Sequence, residues 1–335
     1  MRTQGERRGV LLINLGTPDG PDTASVRRYL RQFLMDGRVL DIPTPARWML
    51  VNLVIAPFRS PKSAKAYRAV WRNDGSPLLS YSKALSQALA EKLGQRVVLA
   101  MRYGNPSIAA AITELGEVDR IVAVPLYPQY ASSSTGTALG ALFAELGART
   151  FVPPVSILPP FFEDPGFLDA QAALAREAVA GADHVLFSYH SLPERHIRAA
   201  TPGCQLTDAC CLPASGRVPP SCYRAQCLAT TRGLVARLGL APGGWSESFQ
   251  SRLGREAWLK PATDAVVPEL ARRGVKRLTV LCPSFVADCL ETLEEIGIRA
   301  KEEFLAAGGE ELRLVPCVNA DPAWVSALAR RVDEL

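Results

Sequence analysis

Two similar α/β lobes, each a parallel sheet flanked by helices, are the architecture this sequence predicts. Three observations carry it. Short apolar β-type runs (Gly9–Leu15, Arg96–Met101, Arg120–Pro125, His184–Ser188 and Arg277–Cys282) are each bounded by Gly, Pro or a polar cluster. Longer helical patterns lie between them, at Ser80–Leu93, Pro106–Leu115, Pro165–Ala180, Ala225–Leu238 and Ala262–Arg273. Strands that alternate with helices imply parallel pairing with helices on both faces. The Pro-rich stretch Pro153–Pro160 separates two such sets, giving lobes of 1–155 and 156–335. A last helix, Ala323–Val332, is expected to pack back on the first lobe. Open parallel sheets hold ligands at the C-terminal ends of their strands, so the active-site cleft is expected between the lobes.

Composition agrees with a folded chain: 335 residues, 48% hydrophobic and 21% charged. The net charge of +5 comes from scattered residues rather than a Lys/Arg tract, which argues against nucleic acid. It supports at most a mild attraction to anionic lipid or acidic small molecules. The basic Met1–Arg8 segment and the short apolar run Val10–Leu15 do not form a signal peptide. No stretch reaches the ~20 apolar residues that span a bilayer. A cytoplasmic location is expected, where thiols stay reduced, so the eight cysteines call for something other than disulfides.

The chemistry concentrates in a few segments. Phe187-Ser188-Tyr189-His190-Ser191-Leu192-Pro193 sends His190 out of a buried strand's C-terminal end, where an imidazole can take a proton or a divalent metal, or merely hold a loop. His184, at the strand's start, and His196, after a charged turn, have less claim. After Cys282-Pro283-Ser284-Phe285 comes a helix in which Asp288, Glu291 and Glu295 share one face, either an acidic path for a cation or a solvated face. The segment Leu126–Thr137 carries hydroxyls suited to an anion or to ordinary capping. Arg47–Phe58 is strongly apolar, either a core helix or an exposed lip that meets lipid or a flat apolar ligand.

Five cysteines, Cys204, Cys210, Cys211, Cys222 and Cys227, fall within 24 residues of a loop rich in Pro and Gly. Such a loop needs a staple, and thiolates in a reduced compartment suit zinc or an iron–sulfur cluster. Unpaired thiols or disulfides are the simpler readings. Cys282, Cys289 and Cys317 stand apart as packing residues.

Taken in order, Ile13-Asn14-Leu15-Gly16-Thr17-Pro18, Asp74-Gly75-Ser76-Pro77, Arg102-Tyr103-Gly104, Tyr127-Pro128-Gln129-Tyr130, the His190 segment, Gln250-Ser251-Arg252, Trp258-Leu259 and Asp288-Cys289-Leu290-Glu291-Thr292-Leu293-Glu294-Glu295 resemble the ferrochelatase family along nearly the whole chain. The resemblance implies the chelatase fold, two Rossmann-like lobes around a porphyrin cleft, and the insertion of Fe(II) into protoporphyrin IX to give protohaem in haem biosynthesis. It makes His190 and Glu291 the catalytic and iron-binding pair, with Asp288 and Glu295 along the iron path. Arg59, Tyr67 and Ser76 match positions near the propionates, Trp258 an aromatic near the cleft, and the apolar stretch within about 40–60 the lip of its mouth. That lip implies peripheral contact with the inner face of the membrane.

Two departures from the family matter. Animal relatives have histidine where this chain has Cys289, and they take most ligands of their 2Fe–2S cluster from a C-terminal extension. Here the insert at about 203–227 implies an internal 2Fe–2S cluster on Cys204, Cys211, Cys222 and Cys227, with Cys210 in reserve. No P-loop is present, so no nucleotide is expected. Rival readings are a chelatase for coproporphyrin III or another tetrapyrrole and metal pair, and a haem- or metal-binding protein without turnover.

Overall fold

The computed structural model describes residues 7–212, 217–252, 254 and 256–335. Residues 1–6, Leu253, Arg255 and residues 213–216 of the cysteine-rich stretch, Pro213 and Gly216 among them, lie outside the described residues. The chain divides into two compact units. One comprises the chain up to Leu126, with Ser132–Pro159 and Val325–Leu335; the other comprises Tyr127–Ala131 and Pro160–Trp324.

The first unit is built on β1 (Arg8–Thr17), β2 (Arg96–Gly104), β3 (Arg120–Pro125) and β4 (Val155–Ile157), in the order β2-β1-β3-β4 with every pairing parallel. Central β1 reads as an unbroken apolar run because helices cover both of its faces: Val10 through Ile13 are fully buried. The helices are α1 (Thr23–Leu34), α2 (Thr44–Met49), α3 (Ala56–Val70), α4 (Pro77–Leu93), α5 (Ile108–Leu115) and α6 (Thr137–Gly147). Asp22 caps α1 by accepting from the backbone of Ala24 and Ser25, and Ser76 caps α4 by accepting from Leu79. A π-helical stretch, Leu50–Ile55, joins α2 to α3, and another, Ser132–Gly136, leads into α6. At the ends of β1 and β2 the backbones close tightly. A Cβ on Gly16, at φ +116°, would lie 1.8 Å from the Tyr103 carbonyl oxygen, so only glycine fits.

The second unit repeats the plan with β5 (His184–His190), β6 (Trp245–Gln250), β7 (Arg277–Leu281) and β8 (Glu311–Leu314), ordered β6-β5-β7-β8 and again wholly parallel. Its helices are α7 (Pro165–Ala180), α8 (Glu194–Ala200), α9 (Asp208–Cys211), α10 (Tyr223–Leu238), α11 (Thr263–Arg272) and α12 (Lys301–Ala306), the last preceded by the π-helical stretch Glu291–Ala300. Leu186, Val267, Val280, Ile296, Phe304 and Leu312 form part of its core. The closing helix, α13 (Pro322–Asp333), belongs to the first unit from Val325 onward, where Arg8 meets Asp333 at 2.7 Å. Its Trp324 packs in the second unit against Phe161 and Phe167.

Several elements carry no periodic signal strong enough to read from sequence. Edge strands β4 and β8 are three and four residues long. β6, Trp-Ser-Glu-Ser-Phe-Gln, lacks an apolar run because its serines bond to neighbours: Ser246 to His184, and Ser248 to Thr263.

Candidate active site

Parallel pairing brings the C-terminal ends of β5, β6 and β7 together, and with them His190, Gln250 and the Cys282–Phe285 turn. His190 is the last residue of β5 and is half-buried. Its Nδ1 lies 2.6 Å from the Ser191 carbonyl oxygen. A carbonyl only accepts, so Nδ1 carries the proton and Nε2 is left as the basic nitrogen. The backbone is held on both sides: His190 N–H donates to Ser284 Oγ at 3.0 Å, and Tyr223 OH donates to the His190 carbonyl at 2.8 Å. Phe285 meets the imidazole edge-on, with ring centroids 6.3 Å apart. His184 is a different case. Burial lowers its pKa and Ser246 bonds its Nε2, so it is a neutral structural histidine; His196 sits in α8.

Glu291 opens the π-helical stretch after β7. Its place is set by Gln250, whose side chain bridges the strand ends. Gln250 Oε1 accepts from Ser188 Oγ at 2.6 Å, and Nε2 donates to the Glu291 carbonyl at 2.8 Å. The buried Cys289 thiol donates to the Glu291 carboxylate. Glu295, one π turn on, accepts from both the N–H and the hydroxyl of Ser251, at 2.9 and 2.5 Å, and Arg299 lies 3.8 Å away. Burial nonetheless raises its pKa, and the neighbouring Glu291 adds to the rise.

The expected helical face of Asp288, Glu291 and Glu295 is corrected here. Asp288 precedes the helix and is 3% exposed. Its carboxylate accepts from Thr292 Oγ1 at 2.9 Å, Asn319 Nδ2 at 2.8 Å and Cys317 N–H at 3.3 Å. A carboxylate so engaged ties the loop to the start of the helix rather than presenting oxygen to a cation. Glu294 turns to Arg299. The acidic pair that remains is Glu291 and Glu295.

Other expected residues fall in different places. Trp258 is half-buried in the second unit and bridges to Pro193. Arg59, Tyr67 and Ser76 belong to the first unit. Arg59 is exposed on α3, Tyr67 is buried there edge-on to Trp71, and the Ser76 hydroxyl caps α4. The apolar stretch anchors itself through buried Val51 and Ala56, but Trp48, Met49, Leu50, Leu53, Val54 and Phe58 are all exposed, Phe58 by 79%. In the Leu126–Thr137 segment the hydroxyls serve structure. Thr137 donates to Asp36, and Arg38 donates to Ser132.

The cysteine-rich loop gathers thiols. Cys204, Cys210, Cys211 and Cys222 interact with one another beside Arg224, with Ala225, Leu228 and Val218 packed against Cys211 and Cys222. The Cys222 thiol and Arg224 donate to the Cys211 sulfur and lower its pKa to about 6 against the effect of burial. Cys227 is set apart on α10, where it meets Tyr223 and Glu247. The donor chemistry is that of an iron–sulfur centre. Among the described residues, however, no group of three or more His, Cys, Asp or Glu is arranged to hold a metal ion, and the thiols bond to each other instead.

Sequence reading did not single out Gln250, Tyr223 or Ser284 for these contacts. Each acts through hydrogen bonds from a segment distant in sequence.

Two parallel sheets of this order place the chain with solved chelatases by fold. SirB from Bacillus subtilis with Fe3+ matches at a TM-score of 0.52 and 12% identity, covering 98% of this chain and 95% of that one. The sirohydrochlorin chelatase SirB from Bacillus subtilis subspecies spizizenii in complex with cobalt matches at 0.53 and 11%, covering 98% and 94%. Residues 7–335 match the family model for ferrochelatase. The ferrochelatase of Legionella pneumophila strain Lens is 46% identical over 331 residues, covering 98% of this chain and 99% of that protein. That of Azotobacter vinelandii strain DJ is 50% identical over 328 residues, covering 96% and 97%. The chain belongs to the ferrochelatase family.

Proposed function

We propose that this protein inserts Fe(II) into protoporphyrin IX, with His190 and Glu291 as the residues that handle the pyrrole protons and the metal. The observation that carries the reading is the tautomer of His190. With Nδ1 committed to the Ser191 carbonyl, Nε2 is the nitrogen that takes a proton or touches iron. Insertion is substitution without redox change: porphyrin and Fe(II) give haem and two protons. His190 accepts the first pyrrole proton, and Glu291 receives the second or steadies the metal. Neutral imidazole and carboxylate both suit Fe(II). Glu295, its pKa raised by burial, takes protons onward from Glu291 or passes iron toward it, and Asp288 anchors that path. Arg59, Tyr67 and Trp258 are the residues we assign to porphyrin contact, and the Ser76 hydroxyl holds the start of α4.

The direct test is an anaerobic assay with Fe(II) and each of protoporphyrin IX and coproporphyrin III. Faster turnover of protoporphyrin is expected, because the exposed lip is apolar. Absence of insertion with both would leave a haem- or metal-binding protein in its place.

The lip is also where we place peripheral contact with the inner face of the cytoplasmic membrane. Its exposed apolar side chains run into Arg59, Lys62, Lys65 and Arg68 on exposed positions of α3, a pattern suited to the bilayer interface. No described helix is long and apolar enough to cross a membrane. Replacing Trp48 and Val54 with Ser should weaken vesicle association or raise KM for porphyrin at nearly unchanged thermal stability. A sharp loss of stability alone would refute the lip.

The cysteine loop is read as the seat of a 2Fe–2S cluster, held by Cys204, Cys211, Cys222 and either Cys227 or Cys210. The gathering of four thiols supports it; the separate place of Cys227 favours Cys210 as the fourth. When bound, the cluster would order the loop, since metal-binding free energy is folding free energy there. Purified protein should then carry about two iron and two acid-labile sulfide per chain. Cys222→Ser should bleach it, and Cys227→Ser against Cys210→Ser decides the fourth ligand. Colourless protein containing zinc would overturn the cluster.

A further inference from the structure

The cysteine loop and the candidate catalytic histidine are joined by one side chain. Cys222 is the N-cap of α10 and Tyr223 its first residue. Tyr223 is 5% exposed, and its hydroxyl donates to the His190 carbonyl at 2.8 Å. On the other side of the same peptide plane the Gln250 carbonyl accepts from Ser191 N–H at 2.7 Å, and the preceding peptide is held by Ser284, which accepts from His190 N–H. The end of β5 thus takes a bond from the tip of α10 just where the imidazole leaves the strand. The position of that tip is in turn set by Cys222. Its N–H donates to the Pro219 carbonyl at 3.1 Å, and its thiol donates a hydrogen bond to the Cys211 sulfur.

We propose that Tyr223 is a positioning residue for His190 and that, through it, the state of the thiols at Cys211 and Cys222 reaches the reaction. The proposal rests on His190 as the reacting residue. The physical link is short. Anything that moves Cys222, such as metal binding, oxidation or loss of the thiol, moves the adjacent residue whose hydroxyl fixes the strand end. A displacement of that end misplaces Nε2, and reactions of this kind are sensitive to shifts of about 1 Å.

Tyr223→Phe keeps the ring and removes the bond. It should lower kcat roughly ten-fold, with KM for porphyrin changed by less than about two-fold. The chain has three histidines, so the His190 imidazole can be assigned by nitrogen NMR, and its signals should move in this variant. Ser284→Ala, which removes the hold on the preceding peptide, should shift the same signals and lower kcat in the same way; it stands as the second test where Tyr223→Phe folds poorly. Transmission is read from a double-mutant cycle. Cys222→Ser should lower kcat several-fold in the parent protein but by less than about two-fold in the Tyr223→Phe background. Unmoved His190 signals with parental kcat in folded Tyr223→Phe overturn the positioning role. Losses that multiply in full overturn the transmission. Parental turnover by His190→Ala would instead sink the assignment of His190 itself, whatever Tyr223 does.

Discussion

The two sheets of this chain share one strand order, and in each the third strand leads into a π-helical stretch, Ser132–Gly136 after β3 and Glu291–Ala300 after β7. What they carry at the strand ends differs. Next to its last residue central β1 carries Gly16, packed against the Tyr103 carbonyl with no room for a side chain, while central β5 ends in His190. The buried carboxylate of the first unit, Asp36, is neutralised by Arg102 at 2.5 Å and bonded by Tyr103 and Thr137. In the second unit burial raises the pKa of Glu295, and Glu291, one turn away, adds to the rise rather than relieving it. A repeated frame therefore does not repeat a function. The chemistry belongs to the few residues placed on it.

The largest effect that would sharpen this contrast is at His190. His190→Ala should bind porphyrin and fold normally yet lose at least about a hundred-fold in metal insertion, the usual scale of a lost proton-transfer group. Glu291→Gln should follow it. Steady-state kinetics with fluorescence-monitored porphyrin binding decides, and near-parental turnover would remove the distinction between the two sheets.

A smaller effect is expected at Gln250, which has no counterpart bond described in the first sheet. Gln250→Leu takes the side-chain donor from the Glu291 carbonyl and leaves the Ser188 hydroxyl with Thr263 alone in a buried setting, at a cost of about 1–3 kcal/mol. Turnover should fall with it because the start of the Glu291 helix is released. Thermal unfolding and kcat measured on the same preparation check both halves.

The third test is a difference of sign. Burial alone would raise Asp36, but bonds from Thr137, the Arg38 backbone and Tyr103, with the charge of Arg102, hold it below the ordinary carboxylate value. Its stabilising contribution is therefore present above the unfolded value of about 3.9 and is lost as pH falls through the lower folded value. Glu295 is raised, so its ionisation costs the fold stability, and that cost appears as pH rises from about 4.3 through the folded value. Asp36→Asn should thus be most destabilising at neutral pH and converge on the parent in acid. Glu295→Gln should gain on the parent as pH rises. Melting temperatures across the acid range would show opposite slopes; parallel slopes would mean that the two carboxylates are not differently housed.

How much was legible in the sequence follows from the kind of signal each residue leaves. β5 announces itself as an apolar run, so His190 could be placed at a strand end before any coordinates. The Trp48–Phe58 stretch was legible as apolar, but whether it was core or surface depended on packing that periodicity does not encode. Gln250 stood in a recognisable motif, but its bridging role was hidden because β6 is built from serines and a glutamate that find hydrogen bonds instead of apolar neighbours. Tyr223 and Ser284 act across 33 and 94 residues of sequence, on a backbone group that no pattern marks. The acidic face was drawn with an α-helical ruler, whereas the backbone from Glu291 to Ala300 is π-helical and begins after Asp288. Of the five clustered cysteines, the sequence favours Cys227 and holds Cys210 in reserve, because nothing in the chain marks that Cys227 sits apart on α10, against Tyr223 and Glu247.

That π-helical stretch constrains how the gene can drift. Each residue of an α-helix turns the chain by about 100°, and a π-helix holds its wider i→i+5 spacing only while its length is kept. Removing one codon anywhere between Glu291 and Ala300 would let the segment relax to α geometry and swing Glu291 relative to Glu295, Ser251 and the core packing of Ile296. Point substitutions on its exposed side are far milder events. Insertions and deletions here are thus the changes natural selection should purge first, and a scan of single-codon deletions across α12 and this stretch would mark the boundary at Lys301 as a step in tolerance.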